Sequence, residues 1–288
     1  MELTAEPCSP VRVEHAEGPF WYGDRFGWVD IMAGTLWVAG FDGTVLTEPR
    51  SYDVGRPLGA AVPRRDGGWL LAAGTAFLTL EEDGRVTPLT DDLADASAVR
   101  MNDGKCDPAG RFWAGTMAYD ESRPISSLYV FDGTVRTVLD DVTISNGLGW
   151  SPDHRTMYYA DTPTRRVDAF DYDVRTGEVS GRRTFIEVEG GHPDGMTVDD
   201  EGFLWVALWG GGAVRRYDPS GRPVATVHLP VTNVSSCAFG GPGDATLFVT
   251  TSQQGLSPEQ RAAEPDAGRI FRVDPGVSGP PATPFGRP

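Results

Sequence analysis

The feature that most constrains the fold of this chain is an internal repeat of about 44 residues. Six five-residue segments align without gaps and begin 41 to 48 residues apart. These segments are EGPFW (17–21), LGAAV (58–62), NDGKC (102–106), NGLGW (146–150), DGMTV (194–198) and SSCAF (235–239). After each one comes a turn and a second apolar run, such as GRFWAGT at 110–116. A unit of about four short strands is the size of a propeller blade. The repeat therefore predicts an all-β chain folded as a six-bladed β-propeller.

The repeats fill nearly the whole chain, so we predict a single β-propeller domain over residues 1–288. The ordered blades are expected within about 11–285, with the N-terminal strand completing the last blade and an irregular tail at 276–288. The 36 glycines and 23 prolines disfavour a helical bundle, because each costs a helix interior roughly 1 or 3 kcal/mol respectively. The one helix expected is a single turn at 257–264, with Ser257 as its N-cap and Pro258 at its first position.

Charge and cysteine content limit the partners and the compartment. The chain has 41 acidic and 25 basic residues, a net charge of −16, which disfavours binding to nucleic acid or to anionic membranes. Three cysteines without a Cys-x-x-Cys pair exclude a disulfide framework and a zinc ribbon. Cys106 and Cys237 are expected in the core and Cys8 on the surface. Neither a leader pattern nor an apolar stretch of ~20 residues is found, so a cytoplasmic protein is expected.

Polar side chains of the repeat converge on one place. The first position of the segment is polar in five of six blades: Glu17, Leu58, Asn102, Asn146, Asp194 and Ser235. So is the position two residues earlier: His15, Arg56, Arg100, Ile144, His192 and Asn233. The position four residues later is an apolar anchor in all six: Trp21, Val62, Cys106, Trp150, Val198 and Phe239. Residues two apart share a strand face, and only the central axis of a propeller receives a contribution from every blade. The polar positions are therefore expected at the mouth of a central channel; alternatively, they are turn residues that satisfy backbone groups where strands begin.

Three of these residues make up a set of oxygen donors. Glu17, Asn146 and Asp194 supply two carboxylates and an amide carbonyl, which repel one another and lose hydration unless a cation joins them. Oxygen ligation favours Ca²⁺ first and then Mg²⁺ or Mn²⁺, while Zn²⁺ and Fe²⁺ at the same ligands stay open as alternatives. Three protein ligands leave positions for water and substrate, which is typical of a catalytic metal site.

Four motifs then make the sequence recognisable. They are EGPFW (17–21), RMNDGKCDPAGRFWAGTM (100–117), ISNGLGWSPD (144–153) and HPDGMTVDDEGFLWVA (192–207). In this order and spacing they resemble the regucalcin/gluconolactonase family, also called the senescence marker protein family, from about residue 11 to residue 285. The resemblance implies a six-bladed propeller with one divalent metal in its channel that hydrolyses lactones, commonly sugar lactones. It matches the metal ligands to Glu17, Asn146 and Asp194. It matches the substrate contacts to Arg100, Asn102 and an acidic residue that is Asp120, or Glu121 if the loop shifts by one.

We therefore expect metal-dependent hydrolysis of a sugar lactone to the open-chain sugar acid, with Asp194 as the general base that the resemblance implies. One alternative is a non-catalytic calcium-binding or regulatory propeller, and another is a related propeller hydrolase of other esters or organophosphates. A monomer or weak homodimer is expected. His15 and His192 are expected to be hydrogen-bonded structural residues rather than outer donors to the site, and Lys105, the only lysine, to form a salt bridge.

Overall fold

The computed structural model describes residues 1–286 and is a closed ring of six β-sheets. Each sheet is a blade whose strands pair antiparallel, apart from one parallel N-terminal strand in blade 5. The first strand of each four-stranded unit contacts the first strands of both neighbouring blades. Blade 1 consists of β3 (Ala16–Tyr22), β4 (Arg25–Asp30), β5 (Thr35–Phe41) and β6 (Leu46–Asp53). Blade 2 consists of β7 (Leu58–Pro63), β8 (Trp69–Ala73), β9 (Ala76–Leu80) and β10 (Val86–Pro88). Blade 3 consists of β11 (Val99–Cys106), β12 (Phe112–Ala118), β13 (Ser126–Phe131) and β14 (Val135–Val142).

The second half of the ring continues the same pattern. Blade 4 consists of β15 (Ser145–Trp150), β16 (Thr156–Asp161), β17 (Arg166–Asp173) and β18 (Glu178–Glu187). Blade 5 consists of β19 (His192–Val198), β20 (Leu204–Trp209), β21 (Ala213–Tyr217), β22 (Pro223–His228) and the N-terminal β1 (Glu2–Thr4). Blade 6 consists of β23 (Asn233–Gly240), β24 (Thr246–Ser252), β25 (Phe271–Val273) and β2 (Glu6–Pro7). The predicted six-bladed, all-β propeller is confirmed.

The N-terminal segment joins two blades. Strand β2 pairs antiparallel with β25, with Glu6 opposite Arg272, so the first part of the chain completes the last blade as predicted. Strand β1 pairs parallel with β22, with Glu2 opposite Thr226, and adds a fifth strand to blade 5. The sequence did not predict this second pairing, because three residues with mixed exposure carry no strand periodicity.

The hydrophobic core is divided into six clusters, one at each interface between neighbouring blades. The six apolar anchors of the repeat all belong to these clusters, and none is more than 9% exposed. Cys106 and Cys237 are buried as expected. The expectation of an exposed Cys8 is wrong: this residue is 2% exposed and packs in the cluster between blades 6 and 1. It is buried because it directly follows β2, the strand that closes the ring.

All six innermost strands carry a β-bulge near their start. In each of them the register with the second strand shifts within the first residues of the repeated segment. The shifts lie at 17–20, 58–60, 101–103, 145–148, 193–196 and 234–236. A bulge leaves a residue unpaired and re-aims the side chains beside it. The polar positions of the repeat therefore lie where the backbone departs from regular pairing.

Outside the blades, the structure contains short 3₁₀ turns, one α-helix and the C-terminal tail. Helix α1 (Pro258–Ala263) begins at the predicted N-cap, where Ser257 and Gln260 form a reciprocal capping box. Residues 274–286 contain no strand or helix beyond a single bridge from Phe285 to Arg64. Residues 287–288 of that tail lie outside the described part of the chain. Within residues 1–286, no helix has both the length and the apolar character needed to cross a membrane.

Candidate active site in the central channel

The innermost strands border two separate chambers, one at each end of the channel. The polar chamber, about 590 Å³, lies where these strands begin. Its wall includes polar residues from the repeated positions: His15, Glu17, Arg100, Asn102, Asn146, His192, Asp194 and Asn233. The apolar chamber, about 300 Å³, lies where the strands end and is bordered by all six apolar anchors of the repeat. Eight of the ten polar residues predicted to converge therefore meet at one mouth of the channel, whereas Arg56 and Ser235 do not border the polar chamber.

Glycine allows the polar side chains of different blades to meet. Gly147 follows Asn146, and a Cβ atom there would lie 2.4 Å from the carbonyl oxygen of Asp194. Gly195 follows Asp194, and its Cβ would lie 1.9 Å from Oγ of Ser236. Such distances are far below van der Waals contact, so only glycine permits this approach of neighbouring inner strands. The glycine that follows a channel residue is thus part of what brings blades 4, 5 and 6 together at the axis.

The proposed metal ligands are buried together at the wall of the polar chamber. Glu17, Asn146 and Asp194 are 3%, 5% and 5% exposed, and they come from blades 1, 4 and 5. Glu17 and Asn146 lie close enough to the Asp194 carboxyl to affect its pKa. The Asn146 amide nitrogen also donates to Thr162 Oγ1 at 3.1 Å. The three oxygen donors picked out by sequence register therefore occupy one small volume.

The electrostatics of this group favour a cation. Burial, followed by the nearby charges of Asp194 and Asp103, raises the pKa of Glu17 well above its usual value. Burial, followed by the charge of Asp103, does the same to the pKa of Asp194. Two carboxyl groups held together out of water resist ionisation because burial and the neighbouring carboxylate charges both penalise the charged form. A positive ion between them would reverse both effects.

An acceptor without a hydrogen-bond partner at the site also favours a divalent cation. Asn146 Oδ1 is buried and has no hydrogen-bond partner among the described residues, although a buried acceptor without a partner is costly. Two carboxylates and an amide oxygen are the ligands that hard divalent ions prefer. Across residues 1–286, no cluster of three or more His, Cys, Asp or Glu side chains has the arrangement of a metal site. The candidate set depends on the amide oxygen of Asn146 for its third ligand.

Arg100 and Asn102 extend the site from blade 3. Arg100 is 3% exposed, and its Nη1 donates to Asn102 Oδ1 at 2.7 Å and to the Met101 carbonyl at 3.0 Å. Asn102 Nδ2 in turn donates to the Ser145 carbonyl at 2.9 Å. Burial lowers the pKa of Arg100 to about 10, which leaves the guanidinium charged at neutral pH. A buried cation held this firmly is suited to stabilising negative charge on a bound molecule.

Asp120 and Glu121, the two candidates for an acidic substrate contact on the loop after β12, differ in their position relative to the chamber. Glu121 borders the polar chamber and has a positive φ of 57°. Asp120 lies on the outer side of the same turn, where its carboxylate accepts from Ser122 and Arg123. These contacts lower the pKa of Asp120 to about 2, with the Arg123 hydrogen bond as the largest cause. Of the two residues, Glu121 is the one that the structure places beside the channel.

The remaining sequence expectations concern histidine and lysine. His15 Nδ1 lies 2.6 Å from Ser252 Oγ, and the His15 ring packs edge-on against Trp209. His192 Nε2 lies 3.3 Å from a guanidinium nitrogen of Arg165. The salt bridge expected for Lys105 is absent from the described residues within 4.0 Å; its Nζ donates to the Met196 carbonyl at 2.6 Å instead.

Asp103 is the residue near the site that sequence reasoning missed. Strict alternation assigns Asn102 to the channel and Asp103 to the other face. The bulge between Met101 and Asp103 breaks that alternation, and the charge of Asp103 contributes to the raised pKa of both Glu17 and Asp194. Asp103 is itself 6% exposed, and Lys105 is the opposite charge that acts on it. A signal was present, since the segment NDGKC places two charged residues in an otherwise buried strand.

Comparison with known proteins gives a consistent result. The model of the SMP-30/Gluconolactonase/LRE-like region matches residues 15–253. Regucalcin of Oryctolagus cuniculus is 44% identical over 237 residues, covering 78% of this chain and 79% of its own. Regucalcin of Macaca fascicularis is 40% identical over 285 residues, 94% of each chain. The crystal structure described as a calcium-binding protein, regucalcin, from Agrobacterium tumefaciens strain C58 aligns with a TM-score of 0.93 and 27% identity, covering 100% of this chain and 99% of its own.

Proposed function

The chain belongs to the SMP-30/gluconolactonase/LRE-like family, and from this premise we propose that it hydrolyses lactones, with sugar lactones as the substrate class, in the polar chamber. The observation that carries the proposal is the buried set of Glu17, Asn146 and Asp194, in which one acceptor lacks a partner and both carboxyls resist ionisation. A site that only stabilised the fold would pair these groups with donors. This one presents them to a chamber of about 590 Å³, within the usual size range of small-molecule sites.

The metal proposed for the site is calcium, held by Glu17, Asn146 and Asp194. The name of the regucalcin structure as a calcium-binding protein and the all-oxygen donor set support this choice. When bound, such an ion supplies Lewis acidity, which favours the addition of water to an ester carbonyl. Magnesium, manganese, zinc and iron remain alternatives at the same ligands.

Each residue of the site then has its own role in the proposed reaction. Asp194 accepts the proton of the attacking water as the bond from the water oxygen to the carbonyl carbon forms. The ring carbon–oxygen bond breaks, the ring oxygen receives the proton, and the product is the open-chain hydroxy acid. Arg100 offsets the negative charge that develops on the carbonyl oxygen. Asn102, fixed by Arg100 and by the Ser145 carbonyl, and Glu121 orient the sugar hydroxyls.

The test is a pH-stat assay on a panel of sugar lactones, with and without a chelator, for the wild type and for Asp194→Asn. We expect chelator-sensitive hydrolysis by the wild type and its loss in Asp194→Asn, with the metal content of both proteins measured. Asp120→Asn is the matched control, because it removes a carboxylate that lies outside the chamber. If metal-loaded Asp194→Asn keeps the full rate, Asp194 is not the base.

The second candidate function is a calcium-binding propeller without catalysis, and it is favoured by the similarity to the Agrobacterium tumefaciens regucalcin, which is described as a calcium-binding protein. This candidate predicts calcium binding by the same three ligands but no turnover. Absence of chelator-sensitive hydrolysis on the whole panel, together with saturable calcium binding, would select it. The Arg100 guanidinium at the chamber favours catalysis, since it can offset negative charge on a reacting substrate and contributes nothing to holding a metal ion.

A further inference from the structure

The apolar chamber is a separate cavity whose walls the repeat builds from one position of every blade. Its boundary includes the anchors Trp21, Val62, Cys106, Trp150, Val198 and Phe239, together with Lys105 and tail residues 280–283. No residue borders both chambers. The anchors do not fill the space between them and leave about 300 Å³, at the lower end of the ~300–1,000 Å³ range of small-molecule sites.

Two donors at this chamber, on Lys105 and Trp150, lack a full set of acceptors. Lys105 Nζ carries three N–H donors when charged, and the Met196 carbonyl is the one acceptor it has in the described part of the chain. Trp150 is 9% exposed, and its indole nitrogen has no hydrogen-bond partner there. Buried donors without partners are costly. A ligand with an acceptor oxygen would satisfy the Lys105 ammonium.

The charges around the chamber select against ions. The buried carboxyl groups of Asp103 and Glu17 act electrostatically on Lys105. An anionic ligand would add to those groups in a chain with a net charge of −16. Asp199 and Asp200 also border the chamber, but the Asp199 carboxylate already pairs with Arg216 and Trp205, and the Asp200 carboxylate accepts from Ser278. A cationic ligand would therefore meet the Lys105 ammonium and carry its own desolvation cost.

From the walls, the donors and the charges together, we propose that the apolar chamber binds a small uncharged organic molecule that is apolar over most of its surface and carries one carbonyl or ether oxygen. The oxygen accepts from Lys105, and the apolar body contacts the anchors. The tail holds one side of the chamber in place, through the Ala282 nitrogen that donates to the Trp21 carbonyl at 3.0 Å.

The experiment titrates the full-length protein with Prodan, an uncharged naphthyl ketone whose emission shifts to the blue in apolar surroundings. We expect saturable binding of one Prodan per chain. Val198→Phe and Val62→Phe place extra volume in the chamber from two different blades, and each weakens binding about tenfold or more. Lys105→Met keeps the volume and removes the donor, and it weakens binding about tenfold.

Gln254→Phe is the matched control, because it adds a ring at the wall of the polar chamber and leaves Prodan binding unchanged. Circular dichroism and thermal unfolding establish that each variant is folded. Two variants that fill the chamber, Val198→Phe and Val62→Phe, are used so that the test still holds if one of them does not fold. Three results each overturn the proposal: no saturable binding by the wild type, equal affinity in the wild type and the folded filling variants, or a loss of binding in Gln254→Phe that matches theirs.

Discussion

The two ends of the innermost strands differ in how much the residue type varies between blades and in how regularly the backbone pairs. At the polar end, the first position of the repeat changes from blade to blade, with carboxylates, amides, a hydroxyl and a leucine. At the apolar end, four residues on, the position is apolar in every blade and packs into the clusters between blades. The bulges lie at the polar end. Variation is therefore concentrated where backbone pairing is already interrupted, and the uniform packing lies where pairing is regular.

The largest expected effect separates these ends within a single strand. On β19, Asp194→Asn lowers kcat/KM for a hydrolysed sugar lactone by about 10²–10⁴-fold, because it removes the proposed base. Val198→Phe, four residues further along, leaves kcat/KM of the folded protein at the wild-type value. Steady-state kinetics at matched metal content measure both. A comparable loss in the two variants would mean that the ends do not act separately.

For the free energy of unfolding, the larger effect is expected from a substitution at the apolar end. Phe239→Ala removes a large, 1% exposed side chain and lowers the free energy of unfolding by about 3–5 kcal/mol. Asn146→Ala, measured without metal, changes it by less than about 1 kcal/mol. The change is small because the substitution removes one hydrogen bond to Thr162 but also removes a buried acceptor that has no partner. Urea unfolding followed by fluorescence measures both values, and a larger loss in Asn146→Ala would contradict this division.

Metal addition should stabilise the protein through the polar end alone. Calcium at a hundred times its dissociation constant raises the free energy of unfolding of the wild type by about 2.7 kcal/mol, since it binds the folded chain. EDTA reverses the effect, and Asn146→Ala abolishes it. Asn233→Ala is the matched control, an asparagine of the same chamber outside the donor set, and keeps the effect. Thermal shift with and without calcium decides the point, and stabilisation that persists in Asn146→Ala would remove this residue from the ligand set.

The smallest expected effect tests the boundary of the polar chamber with two adjacent residues. Glu121→Gln raises KM for a sugar lactone about tenfold through a weakened charge-assisted hydrogen bond, with kcat retained. Asp120→Asn changes neither constant, because its carboxylate bonds only within its own turn. Kinetics on the two variants place the edge of the site. An increase in KM for Asp120→Asn alone would reverse the assignment.

The sequence predicted the ring and the location of the oxygen donors because both depend on a periodic pattern. Six blades follow from the spacing of six segments, and Glu17, Asn146 and Asp194 follow from their shared register. What could not be predicted depends on departures from that pattern. The charge of Asp103 acts on Glu17 and Asp194, and Asp103 lies at a bulge that two-residue alternation does not include.

Other errors came from long-range contacts and from local loop geometry. Cys8 is buried because a strand from the far end of the chain lies beside it. The choice between Asp120 and Glu121 depends on the conformation of one turn, in which Glu121 adopts a left-handed backbone. The apolar chamber was also missed, because periodicity shows that six side chains point inward but not whether they fill the space between them.

Strand β2, which pairs with β25 and closes the ring, has a consequence for the synthesis of the protein. During synthesis, Glu6 leaves the ribosome long before Arg272, the residue it faces across the seam of blade 6. The nascent chain therefore holds β2 without a partner while the intervening blades emerge. A chain that stops before β25 keeps an open seam with exposed strand edges, which are sites of aggregation and proteolysis. The seam thus makes the finished ring a check on full-length translation, because only a chain that reaches residues 271–273 can close it.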